Sequence, residues 1–70
     1  MEEFSLTGHE FIELHSLLKV MGLCDSGGRA KSVISEGRVA VDGNVELRKR
    51  CKIREGHVVE YEGHKIVVKL

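Results

Sequence analysis

The sequence predicts an α+β domain in which two helices pack as a hairpin against a small, mostly antiparallel sheet. Apolar residues recur at helical spacing from about His9 to Met21, and again over Ala30, Val33 and Ile34. After Gly37 the period drops to two, with Val39 and Val41 alternating with Arg38 and Ala40. The rest of the chain is short apolar runs punctuated by glycine turns. Seventy residues make one domain, 1–70, and only Phe4, Phe11 and Tyr61 are aromatic, so the core must be aliphatic.

The elements follow in order. Glu3 to Leu6 reads as a short strand with Phe4 and Leu6 on one side of the pleat. Thr7-Gly8 breaks it, and Thr7 with Glu10 three residues on has the spacing of a capping box. The helix that follows carries a stripe of Phe11, Leu14, Leu18 and Met21, widened by Ile12, Leu17 and Val20, and Gly22 is its expected left-handed stop. Asp25 or Ser26 caps a second helix, which Gly37 ends. Asp42-Gly43 is a hairpin turn leading into Val45, Glu46 and Leu47. The basic run beyond it, if extended, puts Arg48, Arg50, Lys52 and Arg54 on one face and Lys49, Cys51 and Ile53 on the other. Glu55-Gly56 turns the chain into a last hairpin, Val58–Glu62 and Lys65–Val68 around Gly63-His64.

Charge is unevenly distributed. The chain is formally neutral, yet Ser26 to Arg54 holds eight Lys and Arg against three Asp and Glu, a local excess of five positive charges. Such polarisation speaks of partners more than of fold. A charged edge strand kept from aggregating is the plainer reading, but that needs one or two lysines, whereas residues 48 to 54 hold five cations and no acid. Arginine forks also match phosphate geometry. The start Ser26-Gly27-Gly28 of the second helix, flanked by Arg29 and Lys31, offers unsatisfied amides and room for close approach, though an ordinary cap would look the same. It lacks the spacing of a nucleotide-binding P-loop.

Other classes are disfavoured. No apolar run reaches the roughly 20 residues needed to span a bilayer, and a soluble cytoplasmic protein without a membrane partner is expected. Cys24 and Cys51 read as reduced, half-buried residues. The four histidines, His9, His15, His57 and His64, do not have metal-ligand spacing, and the last two are expected in turns. No acid/base pair or nucleophile stands out, so no catalytic residue, metal or other cofactor is expected. So few aromatics offer no evident platform for base stacking.

The leucine-bearing helix, Gly22-Leu23, Ser26, Ala30-Lys31, Ile34, and then Gly37-x-Val39-x-Val41-Asp42-Gly43, Val45 and Gly56 resemble the S-four RNA-binding domain, or αL motif. The resemblance covers about Leu14 to Val59, and is strongest to small stand-alone bacterial members of the YbcJ type, which share the Arg-Lys-Arg-Cys-Lys-Ile run at 48–53. It implies a non-catalytic protein that binds structured RNA of the ribosomal or transfer class. Its site residues would be Ser26, Arg29 and Lys31 on the second helix, and Arg48, Lys49, Arg50 and Lys52 beyond the turn. Gly27 stands where the family often has an arginine, and the first helix lacks the usual basic residue at its start. A monomer is expected, with the ribosome or an RNA-modifying protein as further partner. The alternative is a protein-interaction or adaptor module for such an assembly.

Overall fold

The computed structural model describes all 70 residues. Nine elements follow one another: β1 (Glu2–Ser5), β2 (Ile12–Glu13), α1 (Leu14–Val20), α2 (Gly27–Ser35), β3 (Val39–Val41), β4 (Asn44–Val45), β5 (Lys52–Ile53), β6 (Val58–Tyr61) and β7 (His64–Lys69). Five strands form one sheet in the order β1-β7-β6-β3-β4, and β2 and β5 form a separate two-stranded ribbon. All pairs are antiparallel except β1 with β7, which run parallel in the register Phe4 to Val68. The α+β architecture expected from the periodicity is the one observed.

Period-two burial makes the sheet one-sided. Val39, Val59, Tyr61, Ile66 and Val68 point inward, and the register sets Val39 opposite Tyr61 and Val59 opposite Ile66. Leu14, Leu17 and Leu18 of α1 and Ala30, Val33 and Ile34 of α2 cover that face, closing one cluster with Leu6, Cys24 and Ile53. Both cysteines are free. No helix is long and apolar enough to cross a membrane.

Paired backbone bonds end both helices. Gly37 N–H donates to Ile34 C=O and Arg38 N–H to Val33 C=O, a Schellman motif that needs a left-handed residue at Gly37 (φ +78°). Gly22 and Leu23 close α1 by the same pair of bonds, to Lys19 and Leu18. The Asp42-Gly43 turn has both central residues at positive φ, +51° and +84°, as a two-residue hairpin of the right twist requires. Asp42 adds a longer-range tie, its Oδ1 accepting from Val58 N–H at 2.9 Å. The Gly-x-Val-x-Val-Asp-Gly signature is thus a helix stop, a strand and a turn fastened to β6.

Several expectations are corrected. The first helix begins at Leu14, not His9, and Thr7 does not cap it: Thr7 sits at φ +51° in a tight turn with Gly8, outside the extended backbone a cap requires. The first amides of α1 are satisfied from elsewhere, Leu14 N–H donating to Cys51 C=O at 2.9 Å and His15 N–H to Lys49 C=O at 3.1 Å. The helical-looking residues Ile12 and Glu13 instead pair with Ile53 and Lys52. Val20, assigned to the buried stripe, is 60% exposed because α1 ends there. The last hairpin turns at Glu62-Gly63, one residue earlier than expected, so His64 opens β7 rather than lying in the turn.

Candidate nucleic-acid interface

The basic run is not one extended strand. Residues 49 and 50 form a turn, closed by Cys51 N–H donating to Arg48 C=O at 3.2 Å, and only Lys52 and Ile53 are paired in a ribbon. Ile53 is fully buried and drives the run onto the core, while the carbonyls of Lys49 and Cys51 take the amides at the start of α1. Burial of one isoleucine and two backbone bonds therefore fix where five cations stand.

That folding groups Arg48, Arg50, Lys52 and Arg54, with Cys51 as floor, around a shallow concavity of about 420 Å³. These are the four residues an extended run would have put on one face, brought together instead by a turn and a short strand. Lys49 does not line it. Each of the four cations is exposed.

Three residues outside the sequence-based selection shape this site. Glu46 grips Arg48 through two side-chain bonds of 3.0 Å and accepts from the Arg48 backbone N–H at 2.9 Å. Glu13 accepts from Arg50 Nε at 3.1 Å and lies 2.9 Å from His15 Nε2. Phe11 has Lys52 Nζ 5.0 Å and Arg54 Cζ 5.5 Å from its ring centroid, cation–π distances. Glu46, two residues before Arg48, was detectable from spacing. Glu13 and Phe11 lie about forty residues from their partners, and their helical spacing assigned both to α1.

The carboxylates pre-orient two arginines while leaving Lys52 and Arg54 without an acidic partner. The Arg48 side chain, aided by its backbone N–H, holds the Glu46 carboxyl down to about 2. His15, then Arg50, lowers that of Glu13. A carboxyl whose folded pKa lies below its ordinary value contributes stability that is complete above about 4.5 and lost as pH falls towards about 2. Because the Arg48 side chain stays largely in solvent, screening keeps that contribution small. Glu46→Gln is expected to flatten the acid limb of a urea-unfolding series between those pH values. A variant with the wild-type slope would show that the pair contributes nothing.

The second predicted site lies at the start of α2. Ser26 is its N-cap, and Ser26 Oγ accepts from Arg29 N–H at 3.1 Å, leaving the Gly27 and Gly28 amides outward and without protein partners. Neither glycine has positive φ, and a Cβ at Gly27 would meet nothing within 4 Å. The fold does not require glycine there. Alanine at both positions is expected to raise stability by about 0.5–1 kcal/mol in total, measurable by chemical unfolding; a loss would reveal a backbone requirement. Arg29 and Lys31 are exposed, and none of these residues lines the cationic concavity.

Neither cysteine is activated: burial raises the pKa of both thiols. No group of three or more His, Cys, Asp or Glu is placed to hold a metal ion.

The S4 domain family model matches residues 4–69, beginning ten residues ahead of the motif-bearing stretch. The chain is 52% identical over 68 residues to YbcJ of Escherichia coli, a candidate RNA-binding protein, spanning 97% of each chain. It is 41% identical over 54 residues to RlbA of Bacillus subtilis, a candidate ribosome maturation protein, spanning 77% of this chain and 76% of that one. The solution structure of E. coli YbcJ, described as containing an αL motif involved in RNA binding, superposes with a TM-score of 0.77 at 50% identity, covering all of this chain and 89% of that one.

Proposed function

The chain belongs to the S4 domain family, and from that premise we propose that it is a non-catalytic RNA-binding protein that docks its cationic concavity on the phosphates of a folded RNA. The observation that carries this reading is the convergence of Arg48, Arg50, Lys52 and Arg54 on one concavity, with Lys52 and Arg54 unpaired by any carboxylate. Four cations at the rim of a shallow dish suit a curved phosphate backbone, whose binding draws its free energy from counterion release. The start of α2, with two outward glycine amides beside Arg29 and Lys31, supplies a second phosphate contact. Shape is read rather than sequence, because A-form RNA hides its base edges in a deep groove.

Ribosomal RNA is the proposed target class, supported by the likeness to RlbA, whose name assigns it to ribosome maturation. The protein acts in the cytoplasm as a monomer, with a ribosomal particle or RNA-modifying protein as a further partner. Lys52 and Arg54, without carboxylate partners beside two arginines held in place, favour the closely spaced phosphates of RNA over the sparser carboxylates of an acidic protein surface.

Fluorescence anisotropy with a labelled structured RNA tests the reading. Between about 50 and 200 mM salt, four phosphate contacts should weaken binding by about 10²-fold. Single-stranded RNA and duplex DNA should compete less well. Binding that ignores salt, or no binding at the lower salt, would sink the proposal.

A further inference from the structure

Beside the cationic concavity lies a second one of about 380 Å³, walled by Phe4, Leu6, Phe11 and Ile12. Phe11 belongs to both features: its ring lines this hollow while Lys52 and Arg54, from the rim of the first, stand over it. Phe4 and Ile12 also pack against the buried core, but Phe11 does not, although it is half-buried. In a chain with three aromatics, one is thus committed to a surface hollow rather than to the interior. His9 and Ser16 lie at the same hollow, and neither side chain has a hydrogen-bond partner within the protein. Glu13, the remaining polar residue there, has both oxygens engaged, by His15 and Arg50.

We propose that this hollow receives one unpaired nucleobase of the bound RNA, stacked against Phe11 and Phe4, while Lys52 and Arg54 hold the phosphate of the same nucleotide. Three features select this occupant. Two aromatic rings and aliphatic neighbours in the lining suit a flat, partly apolar ring, and the volume of about 380 Å³ is within the ~300–1,000 Å³ of small-ligand sites. Ser16 and His9 offer free donor and acceptor groups to a base edge. Two cations at the shared Phe11 wall supply the charge complementarity that a phosphate-bearing nucleotide needs and an apolar peptide side chain does not. Splayed-out bases on aromatic or guanidinium planes are the usual route by which proteins recognise unpaired RNA. A basic dish that reads only shape thereby acquires a means of telling a bulged or looped RNA from a perfect duplex. The inference rests on the RNA-binding reading above.

The test uses two hairpin RNAs identical except at one bulged position, which carries either 2-aminopurine or an abasic residue. The full chain should bind the base-bearing RNA about 5- to 100-fold more tightly, and the aminopurine fluorescence should be quenched on binding. Phe11→Leu, which keeps apolar bulk but removes the π-face, should bring the two affinities together by weakening the base-bearing RNA more than the abasic one. Phe4→Leu is the second variant should the first not fold, with the same expected loss of preference. Equal wild-type binding of both RNAs, still steeply salt-dependent, overturns the base site and leaves phosphate docking standing. Equal weakening of both RNAs in Phe11→Leu also overturns it, since the ring would then only position the cations. Absence of binding to either RNA overturns both readings.

Discussion

Alanine in place of Ile53 is expected to lower stability by about 2–4 kcal/mol, the cost of deleting a fully buried isoleucine side chain from a packed core. For 70 residues with a total stability of about 3.5–10 kcal/mol, that is a large share of what holds the chain folded. Ile53 is inaccessible to solvent although Lys52 and Arg54 on either side of it are exposed. It pairs across the ribbon with Ile12 and joins the cluster formed by the leucines of α1. The damage should reach the surface as well. With β5 loosened, Lys52 and Arg54 lose their place over Phe11, and the carbonyls of Lys49 and Cys51 lose their hold on the start of α1. Urea unfolding followed by circular dichroism measures the cost, with Val45→Ala as the comparison. Val45 is 64% exposed, and its truncation should shift stability by no more than about 0.5 kcal/mol. A cost below about 1 kcal/mol at Ile53 would mean that the ribbon is not anchored by its burial.

The largest expected effect on binding comes from removing the rim of the cationic concavity. Arg48→Ala, Arg50→Ala, Lys52→Ala and Arg54→Ala together should weaken binding to structured RNA at about 50 mM salt by on the order of 10³-fold, and lower the log–log salt slope by about 3 to 4. All four side chains are exposed, and Ile53 and the backbone bonds to α1 are untouched, so the variant should stay folded. Lys65→Ala, an exposed lysine on the terminal hairpin without an acidic partner, controls for overall charge and should change little. A quadruple variant that keeps both its affinity and its salt slope would move the site away from the concavity, and the start of α2 would be the next place to look.

Much of the fold was legible in the residues because it is written at short range. Ser26 as cap, Ala30, Val33 and Ile34 as a buried stripe, Gly22 and Gly37 as helix stops, and Asp42-Gly43 as a hairpin each depend on neighbours within a few positions. Local propensity and the two periods suffice for such features. The candidate site was legible as a composition: five cations in seven residues stand out whatever their conformation.

Its geometry was not. Between Phe11 and Leu14 the helical spacing is real, yet Ile12 and Glu13 belong to a strand, because they pair with Ile53 and Lys52 while the carbonyls of Cys51 and Lys49 accept from the amides of Leu14 and His15. Phe11 for the same reason faces Lys52 and Arg54 rather than the core. The salt bridge from Glu13 to Arg50 spans 37 positions, and no sequence period reports a contact of that range.

The sequence by itself therefore determined the fold class, the family signature and the sign of the site's charge. Each of these is set by residue type and by spacing within one element. The tertiary structure alone decided where α1 begins, which cations share a concavity, that Glu13 holds Arg50, and that a phenylalanine stands among them. The physical reason is that a buried backbone amide must find an acceptor and a buried isoleucine a hydrophobic neighbour, and here both are supplied by residues some forty positions away along the chain.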